Sequence, residues 1–271
     1  MVIPQVSCRP LNFEVTFAEP FIFDVMPFMN ELAKADARDP GARRRAYADP
    51  AWREKLRSEV TPIFRNWWDR VVIAWSPSAR ELEELPLAAA AARAGKDPVD
   101  LALDLALADG LQTRFRMAVM NFDEKEVAEL ITDPHTIIAL SDAGAHANQL
   151  CDACYSTYLL GHWVREKKTL TLEQAVHQLT QRPAEMFGIT DRGVLAEGRP
   201  ADVVVFDPAT VAPGPLKRVY DLPAGADRLV SEASGIDAVI VNGRLIRQDN
   251  RDVVAADDRL PGRLLRQGRA A

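Results

Sequence analysis

The order of apolar and polar positions predicts a run of short, mixed elements. Val2, Ile3, Val6 and Cys8 read as an opening strand, and Phe13-Glu14-Val15-Thr16-Phe17 alternates with the period of two of a half-buried strand. Residues 24 to 59 carry helical spacing broken by Pro27, Pro40 and Pro50, with Arg43-Arg44-Arg45 expected in a turn. Arg70 to Trp75 predicts a strand, and the alanine-rich stretch from Leu87 predicts a helix that ends at Gly95. Asp97 as N-cap with Pro98 at the first helical position opens another, ending near Gly110. Thr113 to Met120 alternates like a strand, and Asp123 with Glu126 has the spacing of a capping box. His135 to Ser141 is a short apolar strand of the kind buried on both faces of a parallel sheet. Helices follow from Tyr155 to Lys168 and from Thr171 to Gln181.

After Gly188 the pattern changes to short strands between Gly, Pro and Asp turns: Gly193 to Leu195, Ala201 to Phe206, Ala238 to Val241 and Arg244 to Ile246. Asn242-Gly243 is a strong hairpin signal. The last twenty residues read as a basic tail. A closed eight-stranded α/β barrel takes about 250 residues. This α/β chain therefore cannot supply both a full barrel and a trailing β module, and it reads as the second half of something.

Composition narrows the function. The 271 residues are 48% hydrophobic and 27% charged, with a net charge of −6, which argues against nucleic acid or an anionic membrane as partner. No apolar run approaches the roughly 20 residues that span a bilayer. The N-terminus lacks a signal core, and three cysteines make no disulfide framework, so a soluble cytoplasmic protein is expected.

The sharpest chemistry is Ser141-Asp142-Ala143-Gly144-Ala145-His146, directly after the apolar strand. A carboxylate at the C-terminal end of a buried parallel strand stands where α/β barrels keep catalytic groups, and it can ligate a metal and act as general base. The alternative, weighed about equally, is that Asp142 caps the following turn. His146 with Cys151-Asp152-Ala153-Cys154 offers thiolate, imidazole and carboxylate ligands for zinc, or a C-x-x-C redox pair, against the more ordinary reading of Cys154 as a core residue. His162 and His177 lie inside helices, His135 precedes a strand, and Trp67, Trp68 and Trp75 read as packing anchors. Arg9, just past the first strand, is a candidate ligand for a substrate anion, with a surface ion pair as the competing reading.

From Ser141 to about Arg247 the chain resembles the C-terminal half of the amidohydrolase superfamily, in its D-aminoacylase (N-acyl-D-amino-acid deacylase) branch. The matching stretches are SDAGAH, LLGHWVREKKTLTLEQAVHQLTQRPAEMFGITDRGVLAEGRPADVVVFDP and GIDAVIVNGRLI. IPQVSCRPLNFEV looks like a late barrel strand of that branch. The resemblance implies the C-terminal part of a metal-dependent (β/α)8 TIM-type barrel within residues 1–187, with a helical insertion at about 18–110. It further implies a segment of a small β-sandwich domain at 188–250 and a tail at 251–271. It implies zinc, or another divalent metal, in the complete enzyme, hydrolysis of a non-peptide amide bond, and Asp142 as metal ligand and proton shuttle. Thr180, Arg182, Pro183 and Ala184 would be structural.

The departures are specific. The chain has no H-x-H pair and only four histidines, and Gln149-Leu150-Cys151-Asp152 stands where the branch tends to carry a basic His-Pro-Arg step. Catalytic zinc wants about three protein ligands. The expectation is a C-terminal portion, inactive alone, partnered by an N-terminal half or companion subunit and compatible with homo-oligomers. It would act on a small-molecule amide, with His146 and Arg9 on the substrate side. A non-catalytic remnant serving as a binding or assembly module is the alternative.

Overall fold

The computed structural model describes residues 2–21, 23–64, 67–139, 144–255, 257–266 and 269–270. The chain forms two compact units, one of residues 12–119 and one of residues 1–11 with 120–271.

In the second of these, β1 (Gln5–Val6) pairs in parallel with β5 (Ile137–Ile138), in the register Gln5 to Ile137 and Val6 to Ile138. Ile137 and Ile138 are buried, at 3% and 2% exposure, as expected for a strand enclosed on both faces. Its described paired length is shorter than the stretch from His135 to Ser141, of which Leu140 and Ser141 lie outside the described residues.

Around this pair pack α6 (Glu124–Thr132), α7 (Tyr155–Tyr158), α8 (Leu172–Leu179) and α9 (Gln181–Met186). Asp123 caps α6 by accepting from the amides of Lys125 and Glu126, and Thr171 and Gln174 close a reciprocal capping box on α8. Their apolar sides meet in a core of Cys8, Val127, Ile131, Ile138, Leu159, Leu160, Trp163, Leu170, Ala175 and Val211.

The helix expected from Tyr155 to Lys168 is not uniform: α7 passes into a π-helix over Leu159–Glu166. There the backbone comes close to its neighbour, since a Cβ on Gly161 would lie 2.9 Å from the Val211 carbonyl oxygen. Arg165 donates to that same oxygen at 2.6 Å.

The C-terminal strands form a sheet ordered β11-β10-β9-β6, from Arg251–Asp252, Arg244–Gln248, Ile236–Val241 and Val203–Phe206. The Asn242-Gly243 turn has φ of 46° and 79°, the left-handed pair that a two-residue hairpin requires. Gly193 to Leu195, expected as a strand, is irregular instead, with Leu195 74% exposed and nothing to pair with among the described residues. A hairpin that the pattern did not announce, β7 (Ala212–Val219) with β8 (Arg228–Ser234), makes a separate two-stranded sheet. Its strands carry adjacent charges at Lys217 and Arg218, further charges at Arg228 and Glu232, and two prolines, which hide the period of two.

The unit of residues 12–119 has its own sheet, ordered β2-β4-β3, from Leu11–Thr16, Arg114–Met120 and Val71–Trp75, with β3 and β4 antiparallel. Its helices are α1 (Pro27–Arg38), α2 (Ala42–Ala48), α3 (Pro50–Phe64), α4 (Leu87–Ala94) and α5 (Pro98–Ala108). Asp97 caps α5 and Gly95 ends α4 in the left-handed conformation, as predicted. Arg43 to Arg45 lie in α2 rather than in a turn. Arg43 is buried there because Asp24, Asp36 and the Tyr47 hydroxyl meet its guanidinium. Burial pushes the Tyr47 phenol up to about 12.

No closed barrel is found among the described residues, and no helix among them is long and apolar enough to cross a membrane. Gly235 has φ +68°, and a Cβ there would stand 2.5 Å from the Val211 nitrogen. Gly235→Ala is therefore expected to cost at least about 2 kcal/mol, from left-handed strain plus overpacking, read as a lower midpoint in denaturant unfolding.

Candidate active site at the strand ends

The C-terminal ends of β1 and β5 lie side by side, because the two strands run parallel in register. Past β1 the chain turns through Ser7, whose hydroxyl donates to the Arg9 carbonyl at 3.3 Å, and presents Cys8 and Arg9. Past β5 come Ser141, Asp142 and Ala143, which lie outside the described residues. The description resumes at Gly144.

Arg9 is the centre of what can be seen. Its guanidinium is buried; Nη1 lies 2.9 Å from the Asp152 carboxylate and donates to the Cys151 carbonyl at 2.7 Å and to the Cys154 sulfur at 2.9 Å. The Tyr158 ring covers it with the centroid 5.8 Å away. The surface ion pair weighed from the sequence is thus an interior one, and the charge of Arg9 is directed at protein groups rather than opened to an anion. Asp152 and Tyr158 were not visible as its partners in the sequence. Asp152 is 143 positions away, and only the fold brings the two together.

Cys8 is fully buried. Its sulfur donates to the Tyr155 carbonyl at 3.3 Å, and its own carbonyl accepts from the Trp163 indole at 2.5 Å. Burial pushes its thiol up to about 12. The Cys151 thiol is also raised, by burial and then by Cys154 beside it.

His146 is exposed, with φ 44°, and its carbonyl accepts from the Gln149 and Leu150 amides at 2.7 and 3.0 Å. The turn it makes therefore sets the course of residues 146–150. His162, read as an ordinary helix histidine, lies in the π-helix, with Nδ1 3.0 Å from Glu166 and Nε2 2.9 Å from Glu124. It stacks on Tyr158 at 4.7 Å. His135 pairs with Asp133 at the surface. Arg182 donates to the carbonyls of Pro134 and Thr136 and so fixes the entry to β5.

Among the described residues no group of three or more His, Cys, Asp or Glu side chains could hold a metal ion. The Cys151, Cys154 and His146 set does not converge: His146 is exposed, whereas Cys154 faces Arg9 in the interior.

Two outcomes follow from this geometry. Arg9→Met strands the Asp152 charge and is expected to cost about 3–5 kcal/mol, much of it recovered in the Arg9→Met/Asp152→Leu double variant, by denaturant unfolding. In native alkylation at pH 8 followed by peptide mass mapping, half-buried Cys151 labels before Cys8, which stays protonated and enclosed until the chain unfolds.

A model of the amidohydrolase family matches residues 64–247. The chain is 36% identical over 203 residues to N-acyl-D-glutamate deacylase of Alcaligenes xylosoxydans xylosoxydans, covering 73% of this chain and 37% of that protein. It is 33% identical over 182 residues to D-aminoacylase of the same organism, covering 66% and 34%. Among solved structures it is similar to N-acyl-D-glutamate deacylase from Bordetella bronchiseptica, complexed with zinc and a phosphonate inhibitor. That match has 35% identity and a TM-score of 0.40, over 68% of this chain and 36% of that one. A crystal structure of D-aminoacylase matches with 31% identity and a TM-score of 0.41, over the same shares. The chain thus spans little more than a third of the length of these relatives. It belongs to the amidohydrolase family, in the branch of D-aminoacylase and N-acyl-D-glutamate deacylase.

Proposed function

We propose that the chain is the C-terminal portion of a metal-dependent amidohydrolase that cleaves the amide bond of an N-acyl amino acid. The observation that carries this reading is the placement of SDAGAH. The motif follows β5, a buried strand paired in parallel with β1, inside the stretch matched by the family model. On this reading β1 and β5 are the last two strands of a (β/α)8 barrel, β6 and β9 to β11 belong to a small β-sandwich domain, and residues 12–119 are inserted between the barrel strands.

The described residues do not by themselves make a metal site. Asp142 would be one zinc ligand, and the others would come from the part of the relatives' length that this chain does not span. Bound zinc supplies Lewis acidity and an acidified water. The chain's own contribution is the Asp142 carboxylate, which takes a proton as general base and returns it to the leaving amine. His146, exposed on the same loop, is proposed to face the substrate. Arg9, held by Asp152, Cys151 and Cys154, braces that loop rather than binding a ligand.

The test is to purify the chain together with the N-terminal portion of a relative such as N-acyl-D-glutamate deacylase. Zinc by mass spectrometry and hydrolysis of N-acetyl-D-glutamate are then measured. The expected result is about one zinc per folded pair and measurable turnover. In Asp142→Asn the zinc is lost and turnover falls by at least about a hundredfold. A well-folded pair that binds no metal overturns the assignment.

A further inference from the structure

The strand-end cluster gathers sulfur as well as charge. Cys8 and Arg9 leave β1 side by side against Cys154 and Tyr155. The Cys8 sulfur donates to the Tyr155 carbonyl at 3.3 Å, and Arg9 Nη1 donates to the Cys154 sulfur at 2.9 Å. The same nitrogen donates to the Cys151 carbonyl at 2.7 Å, and the Cys154 sulfur lies 3.9 Å from that carbonyl oxygen. One guanidinium nitrogen thus holds both halves of the C-x-x-C step, the backbone of one cysteine and the sulfur of the other. All three cysteines of the chain stand in this cluster, and each is a free thiol.

The three differ in access. Cys8 is fully enclosed, Cys154 is buried with the Arg9 donor on its sulfur, and Cys151 is half-buried, two residues before an exposed Ala153. The turn between Cys151 and Cys154 is fixed by the Tyr155 amide on the Asp152 carbonyl at 3.1 Å and by Arg9 beside the Asp152 carboxylate at 2.9 Å. The approach of the Cys154 sulfur to the Cys151 backbone puts it within reach of the Cys151 side chain. A thiol that solvent reaches, with a second thiol held behind it, is the arrangement of a reactive cysteine and its resolving partner. Burial, and then Cys154 beside it, push the Cys151 thiol up. The pair is therefore suited to answer an excess of oxidant rather than to react rapidly with traces of it.

We propose that Cys151 and Cys154 are an oxidation site, at which hydrogen peroxide closes an intramolecular disulfide and takes the Cys154 sulfur away from Arg9. The Cys151 thiolate attacks one peroxide oxygen, the O–O bond breaks, and the departing hydroxide takes up a proton to leave as water. The Cys154 sulfur then attacks the sulfenic acid on Cys151. The S–S bond forms, the S–O bond breaks, and the hydroxyl leaves as water with the Cys154 proton. The two thiols give two electrons to the peroxide, which ends as two waters. Arg9 keeps Asp152 and the Cys151 carbonyl. Cys8 stays out of the exchange, enclosed and with its thiol pushed up to about 12. The site is independent of the hydrolase reading.

The test treats the full chain with hydrogen peroxide under native conditions, alkylates the remaining thiols after unfolding, and weighs the tryptic peptides. No Lys or Arg lies between Glu126 and Val164, so Cys151 and Cys154 share one peptide and Cys8 falls on another. The expected product is the shared peptide, unalkylated and lighter by about two hydrogen atoms, with Cys8 alkylated and the change reversed by dithiothreitol. With dimedone present, the wild type carries little adduct, whereas Cys154→Ser accumulates it on Cys151. Cys151→Ser slows oxidation of Cys154 by at least about tenfold, because solvent does not reach the sulfur behind Arg9. Cys8→Ser leaves the rate of linkage within about twofold.

Thiols that all survive the treatment overturn the proposal, as does a dimedone adduct equally abundant in the wild type and in Cys154→Ser. So does a link from either cysteine to Cys8, a link between two chains, or Cys151 oxidised to sulfinic acid with Cys154 still free. Should Cys154→Ser fail to fold, Cys154→Ala takes its place, and the wild-type peptide masses decide by themselves.

Discussion

Burying the guanidinium of Arg9 is the constraint on which the strand-end region depends. A charge taken out of water costs several kcal/mol unless its partners are close and well placed. Here they are supplied by one segment, through the Asp152 carboxylate, the Cys151 carbonyl and the Cys154 sulfur, with the Tyr158 ring across the face. Among the described residues the parallel pairing of β1 with β5 extends over two residues on each strand. The side-chain network adds its own hydrogen bonds at the ends of these strands. The same segment is gripped a second time by Cys8, which accepts from Trp163 and donates to Tyr155.

From there the order propagates outward. Trp163 sits in the π-helix, and the close approach at Gly161 lets Arg165 reach the carbonyls of Val211 and Pro208, where the β7–β8 hairpin begins. The hairpin runs back to the loop, with Leu229 on Ala147. The loop that follows Asp142 is thus framed from both sides, by the strand-end cluster and by the hairpin. A π-helix is rare and strained relative to an α-helix, and it is commonly found at functional sites. Here it offsets the turns so that Trp163 faces Cys8 while His162 faces Glu124 and Glu166.

The unit of residues 12–119 has a self-sufficient core. Two apolar clusters fill it, one on the sheet around Ile73, Phe115 and Leu87, the other among the helices around Met29, Tyr47 and Leu103. Its interior charges are answered within the unit, Arg43 by Asp24, Asp36 and Tyr47 and Glu14 by Arg114.

Local signals and periodicity by themselves determined the elements whose stabilising contacts are near in sequence. Asp97 and Thr171 as caps, Gly95 as a stop, the Asn242-Gly243 turn and the buried isoleucines of β5 could all be read directly, because each acts on residues within a turn or two. The motif containing Asp142 was likewise legible as a word. The tertiary structure decided the rest. It turned Arg9 inward by bringing Asp152 from 143 residues away, put Arg43 inside a helix, and made a π-helix where spacing read as a plain α-helix. It also folded a hairpin from a stretch whose charges masked its alternation. The physical reason is the same in each case. Caps and turns are paid for by hydrogen bonds within a few residues, whereas the fate of a charge depends on which distant carboxylate the fold places beside it.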